Sequence, residues 1–264
     1  MTETIAGSLG EIRGGTSTGV ALSTTAAYVP IPKATKYLAL TPRNFTTAVV
    51  ARVGLCPWIS VLKTQDSGVS ITDYSDNAQD DSVSTDVTLS SMDTAANGDF
   101  LYVGSHMPFR GVRLDVDAAN GNASVLTVKY RKSDNTWADI TATDGSDSGG
   151  ASVAVDGAVT WTVPTDWIPE QLVKIGDLTS SLPGSGHKFY WTRWQWSAAL
   201  DASTTLNSMT ALPRSTAYAE LSAGQPLETG IQFGPWGFSY VEALTDAGTG
   251  NLLAVFGTGS GRSF

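Results

Sequence analysis

The sequence predicts an all-β protein: a central β-sandwich of jelly-roll type, an extended N-terminal arm and flanking β segments. Three observations predict it. Short apolar or strictly alternating runs recur along the chain, with Gly, Pro, Asn and Asp between them. Those runs are rich in β-branched and aromatic residues, which suit a pleated, half-buried surface. Charged residues make up only 16% of the 264, against about 25% in average soluble domains, while Gly numbers 27, a balance that fits many turns. Eight Trp, eight Tyr and eight Phe supply the apolar area that a disordered chain lacks.

In chain order, residues 1–27 are small and polar and read as an arm that orders on a neighbour or stays mobile. Residues 28–95 read as an N-terminal β region. Tyr28–Pro32 is expected as a polyproline-like lead-in, and Tyr37–Leu40 and Thr46–Val53 as strands between prolines. Val69–Ile71 and the alternating Val83–Leu89 follow among many aspartates. Residues 96–212 read as the central sandwich. Its strands are Phe100–Gly104, Val112–Val116, Ser124–Tyr130, Thr136–Ile140, Val159–Val163, Phe189–Trp196 and Thr204–Met209. Asn120-Gly121 signals a turn, Thr143–Gly150 a loop, and Trp167–Val173 a short helix. Residues 213–264 read as a C-terminal β segment that could pack with the N-terminal region. It holds a helix or turn at Thr216–Ser222 and apolar runs at Gly230–Phe233, Phe238–Val241 and Leu252–Phe256.

Several function classes fall away on composition. A net charge of −9 repels phosphate backbones, so no nucleic-acid partner is expected. No run reaches the ~18–20 apolar residues of a membrane helix, and residues 1–19 have no apolar secretory core, so no membrane partner is expected and assembly takes place in a cytoplasm. The single cysteine, Cys56, lies among Val53, Leu55, Trp58 and Ile59 and reads as an inert buried thiol.

Candidate chemistry is thin, and each feature has a plain structural reading. Gly15–Gly19 matches the G-x-S-x-G pattern but lies in the polar arm, without the strand before and helix after that a nucleophile elbow needs. His106 and His187 are the only histidines and read as loop residues. Paired carboxylates could hydrolyse glycosides, but aspartates also dominate turns. The oxygen-rich stretches Asp115–Gly121 and Asp144–Asp147 are where a calcium ion would sit, although the first is out of register with a calcium-binding loop. No cofactor, no metal and no catalytic residue is assigned; the chain reads as a non-enzyme. Trp191, Trp194 and Trp196 could form a sugar platform. Trp194 and Trp196 share a face with Tyr190, and Trp191 points the other way; core packing of the Tyr190 face is the preferred reading. Trp137, Trp161, Trp167 and Trp236 stay open between core and surface. No phosphate-cradling glycine loop is present.

Gly98–Gly104, Pro108–Val112, Leu126–Tyr130, Trp137, Asp144-Gly145, Trp161–Trp167 and Tyr190–Trp194 together resemble virion structural proteins of tailed bacteriophages. The resemblance spans about residues 84–212 and consists of spacing and aromatic placement. It implies a structural component of the particle: a capsid decoration or cement protein, or a head or tail accessory protein. It carries no catalytic residue. The expected partners are the major capsid protein or other virion proteins, and further copies of the chain, with a trimer as one arrangement. Terminal segments would make the particle contacts, and the central sandwich would face outward. The alternative is a receptor- or carbohydrate-binding module of a tail or vertex, with a host-surface glycan as partner.

Overall fold

The computed structural model describes residues 16–46, 50–65, 70–80, 82, 84–90, 92, 98–174 and 187–257. Among them the chain is nearly all β, with antiparallel sheets and no α-helix. It divides into two compact units: residues 57–215, and residues 1–56 together with 216–264.

The continuous unit is a sandwich of two sheets. Its larger sheet holds β5 (Ser60–Gln65), β6 (Ser70–Asp73), β8 (Phe100–Ser105), β10 (Leu126–Arg131), β11 (Trp137–Asp139) and β15 (Phe189–Trp196), in the order β11-β10-β15-β8-β5-β6; β14 (Pro169–Glu170) also pairs with β15. The smaller sheet runs β12-β13-β9-β16-β7, with β7 Val87–Thr88, β9 Gly111–Ala118, β12 Thr143–Asp144, β13 Gly157–Thr160 and β16 Thr205–Ala211. Period-2 alternation sends Val61, Leu101, Val103, Val128, Trp194 and Trp196 of one sheet against Val112, Leu114, Val159, Leu206 and Met209 of the other, in one buried core.

Asn120-Gly121 turns the chain between the two sheets, since β9 and β10 do not pair. Asn120 is 2% exposed and organises that corner. Its Nδ2 donates to Asn122 O, Ser124 Oγ and Ser152 O at 2.9–3.0 Å, and its Oδ1 accepts from the amides of Asn122 and Asp201.

The second unit is also two sheets around one core. One sheet runs β1-β20-β3-β18 and the other β17-β4-β19-β2. The strands are β1 (Thr16–Leu22), β2 (Ala27–Pro30), β3 (Tyr37–Arg43), β4 (Ala51–Pro57), β17 (Ala219–Leu221), β18 (Leu227–Gly230), β19 (Phe238–Thr245) and β20 (Gly250–Gly257). Leu22, Leu38, Leu40, Leu252 and Phe256 face Val29, Val53, Leu221 and Val241. Both sheets interleave strands from the two ends of the chain: β20 lies between β1 and β3, and β4 between β17 and β19.

Several sequence expectations change. Residues 16–27 are not an arm: β1 pairs along its whole length with β20, because Val20 and Leu22 reach a core that the composition of the stretch does not reveal; residues 1–15 lie outside the described residues. Tyr28–Pro30 is strand, not polyproline; Pro30 is tolerated because β2 is an edge. Residues 57–95 belong with the central unit, through the pairing of β5 with β8. Val83–Leu89 yields only the two residues of β7, with Val83 outside the described residues, and the strand expected at Thr46–Val53 begins at Ala51, with residues 47–49 likewise outside. The helix expected at Trp167–Val173 is β14 followed by a 3-10 turn at Leu172–Lys174, as Pro169 interrupts it. The helix or turn at Thr216–Ser222 contains β17.

Candidate interaction surface

β15 organises the central unit. Trp191 and Trp194 are 0% exposed and Trp196 2%, so none of these rings is open to a sugar. Trp194 and Trp196 enter the core with Trp161 and Trp167, and edge-on contacts link Trp161 to Trp194 (6.4 Å) and to Phe109 (5.5 Å). Trp191, on the other face, packs on Phe189 and against Gly104, which lies opposite it in register and has no Cβ to displace the ring. Each of these five indoles finds an acceptor. Trp161 donates to Phe109 O (2.8 Å), Trp167 to Trp191 O (3.2 Å), Trp191 to Glu170 O (2.9 Å), Trp194 to Thr192 Oγ1 (2.9 Å) and Trp196 to Ser152 Oγ (3.4 Å).

The other predicted residues scatter. Thr16–Gly19 lies within β1, an extended edge strand, so no nucleophile elbow forms there; Gly15 is outside the described residues. His106 follows β8, half-buried, and burial lowers its pKa from the ordinary 6.5. His187 stacks on Phe189 at 5.3 Å. Cys56 is fully buried near the end of β4. The carboxylates proposed for calcium hold local structure: Asp115 accepts from Asn207 and Arg113, Asp117 from Thr205, Asp144 from Ser146, and Asp147 from the Gly150 amide. No group of three potential metal ligands occurs among the described residues. Trp236 is 55% exposed at the tip of the Gly234–Gly237 turn, which the Gly237 amide closes onto Gly234 O at 2.8 Å. Gly234 has φ +115°, a conformation open to glycine.

One cluster was not singled out in the sequence. The β10–β11 hairpin is closed by Lys132 N to Thr136 O (2.9 Å) and by Asp134 Oδ1, which accepts from the amide and hydroxyl of Thr136. Those hydrogen bonds hold the Asp134 carboxyl below its ordinary pKa. Asn135 sits at φ +66° in the turn. The hairpin sets Arg131 opposite Trp137, and Lys129 opposite both Asp139 and Arg193. All five lie on the face of the larger sheet turned away from the sandwich core. There the Arg193 guanidinium sits 4.4 Å from the Phe100 ring and 4.9 Å from that of Trp137, with Arg131 5.9 Å from Trp137. The signal was present as a cation and a tryptophan flanking a tight Asp-Asn turn, but only the register shows that they share a rung. Compared with known proteins, the chain matches no family model and no curated protein.

Proposed function

We propose that the chain is a structural component of a tailed-bacteriophage particle, a decoration or cement protein that binds and stabilises the major capsid shell and works without catalysis. The observation that supports this reading most is the burial of the β15 tryptophans. The most aromatic strand of the molecule, and its best candidate for a sugar platform, serves as the spine of a core. A second observation agrees with it. Among the described residues β1 is a seven-residue edge strand with neither charge nor proline (Thr16–Leu22), and Thr18 and Gly19 are exposed. Such an edge lacks the charges that usually prevent strand addition, so a neighbouring subunit can extend it. Repetition by symmetry turns modest contacts of this kind into strong attachment.

The test is co-sedimentation of the purified chain with shells of the phage that encodes it, stripped of the chain. Saturable binding at a fixed number of copies per shell subunit is expected, with Thr18→Lys binding more weakly at unchanged stability. Lack of binding to the shell would contradict the reading.

A further inference from the structure

Arg131 is a buried cation of the continuous unit. It is 7% exposed, its Nε is buried and unpaired, and no hydrogen bond or ion pair holds its guanidinium among the described residues. Its guanidinium carbon lies over the face of Trp137, 5.9 Å from the ring centroid. Trp137 repeats the anomaly: its Nε1 is buried without an acceptor among the described residues, whereas the indoles of Trp161, Trp167, Trp191, Trp194 and Trp196 all donate. Two other cations of the unit have partners. Lys63 is 4% exposed but donates to Thr88 O and Ser90 O at 3.0 and 2.7 Å, and Arg113 pairs with Asp115 at 3.3 Å.

Burying a charge without a partner is costly, and so is burying an N–H without an acceptor. Here the two lie on the same rung of one hairpin, with the half-buried Lys129 and the Arg193 guanidinium beside them. Asp139, the carboxylate opposite Lys129 rather than Arg131, accepts from the Thr141 amide at 2.8 Å through Oδ1. Two buried donors, Arg131 Nε and Trp137 Nε1, therefore share one rung without an acceptor among the described residues. The Trp137 ring is already flanked by cations, which leaves it unsuited to stacking on a sugar. What the cluster lacks is an acceptor that is planar and negative.

We propose that Arg131, with Trp137 Nε1 and Lys129, forms a binding site for a carboxylate on the outer face of the larger sheet. The ligand is either an acidic side chain of a partner protein or a free carboxylate. The guanidinium fork takes the two carboxylate oxygens, and the indole N–H adds a third donor.

The experiment is a titration of the full chain, at constant ionic strength, with sodium acetate and with a capped peptide bearing one glutamate between glycines. The Trp137 indole 15N–1H resonance, assigned through Trp137→Phe, is the readout. A saturable shift is expected with both probes and not with chloride. Arg131→Met should weaken binding about ten- to a hundredfold while leaving the thermal midpoint unchanged or higher, because a buried charge without a partner opposes folding. Arg131→Lys should bind with intermediate affinity. Peptide binding at least about tenfold tighter than acetate (1.4 kcal/mol) assigns the carboxylate to a protein partner; equal affinities assign it to a free acid. No saturable shift, an equal shift with chloride, or undiminished binding by both Arg131 variants would overturn the proposal.

Discussion

Single residues carry three of the testable consequences. Asn120 satisfies five donors and acceptors at the corner between sheets. Asn120→Ala strands several of them in a buried place, and a loss of about 3 kcal/mol or more is expected in urea unfolding. Gly104→Ala would set a Cβ inside the Trp191 ring, so a loss of about 1–3 kcal/mol is expected, with a blue- or red-shifted tryptophan emission reporting the displaced ring. His106 gives the pH dependence. Burial lowers its folded pKa below 6.5, so the unfolded chain takes up the proton first. Its contribution is complete above about pH 6.5 and declines as pH falls through that value towards the lower folded one. His106→Gln should lose less stability than the parent between about pH 7.5 and about pH 5; equal losses would remove His106 as a cause.

At the scale of elements, β15 and the hairpin β10–β11 show what a sequence can and cannot reveal. Apolar or aromatic runs made β8 and β15 readable, and alternation made β9 and β10 so, since a period of two needs only the local chain. It also placed Trp194 and Trp196 together on the face that packs inward, as found. β1 and β17 were not readable. Thr16–Leu22 and Ala219–Leu221 are short or weakly apolar, and they become strands only because β20 and β4, distant in sequence, present edges to them. The Arg131–Trp137 cluster was missed for the same reason: each residue looked ordinary, and its meaning depends on pairing and on the partners that are lacking. Because β15 is the spine, Trp194→Ala should cost about 3–5 kcal/mol, more than any substitution of the half-exposed Lys129 in the same sheet. Chemical denaturation of both variants measures this directly.

The whole molecule consists of one continuous unit and one assembled from both ends of the chain. Residues 57–215 contain both sheets and all of their core, so that segment expressed alone should unfold cooperatively. Residues 1–56 alone should not fold, because β3 and β4 find their neighbours β18, β20, β17 and β19 in residues 216–264. A compact, protease-resistant 1–56 fragment would contradict that division. In the proposed role the assembled unit would offer the β1 edge to a neighbour, while the continuous unit carries an independent core and the Arg131 face.

The most direct test of that role is the number of copies of the chain per major capsid subunit in purified particles of the phage proposed to encode it, measured by quantitative mass spectrometry. A ratio of one, or a simple symmetric fraction, is the expected result for a shell protein. A handful of copies per particle would move the chain to a tail or vertex, and its absence from particles would contradict the account.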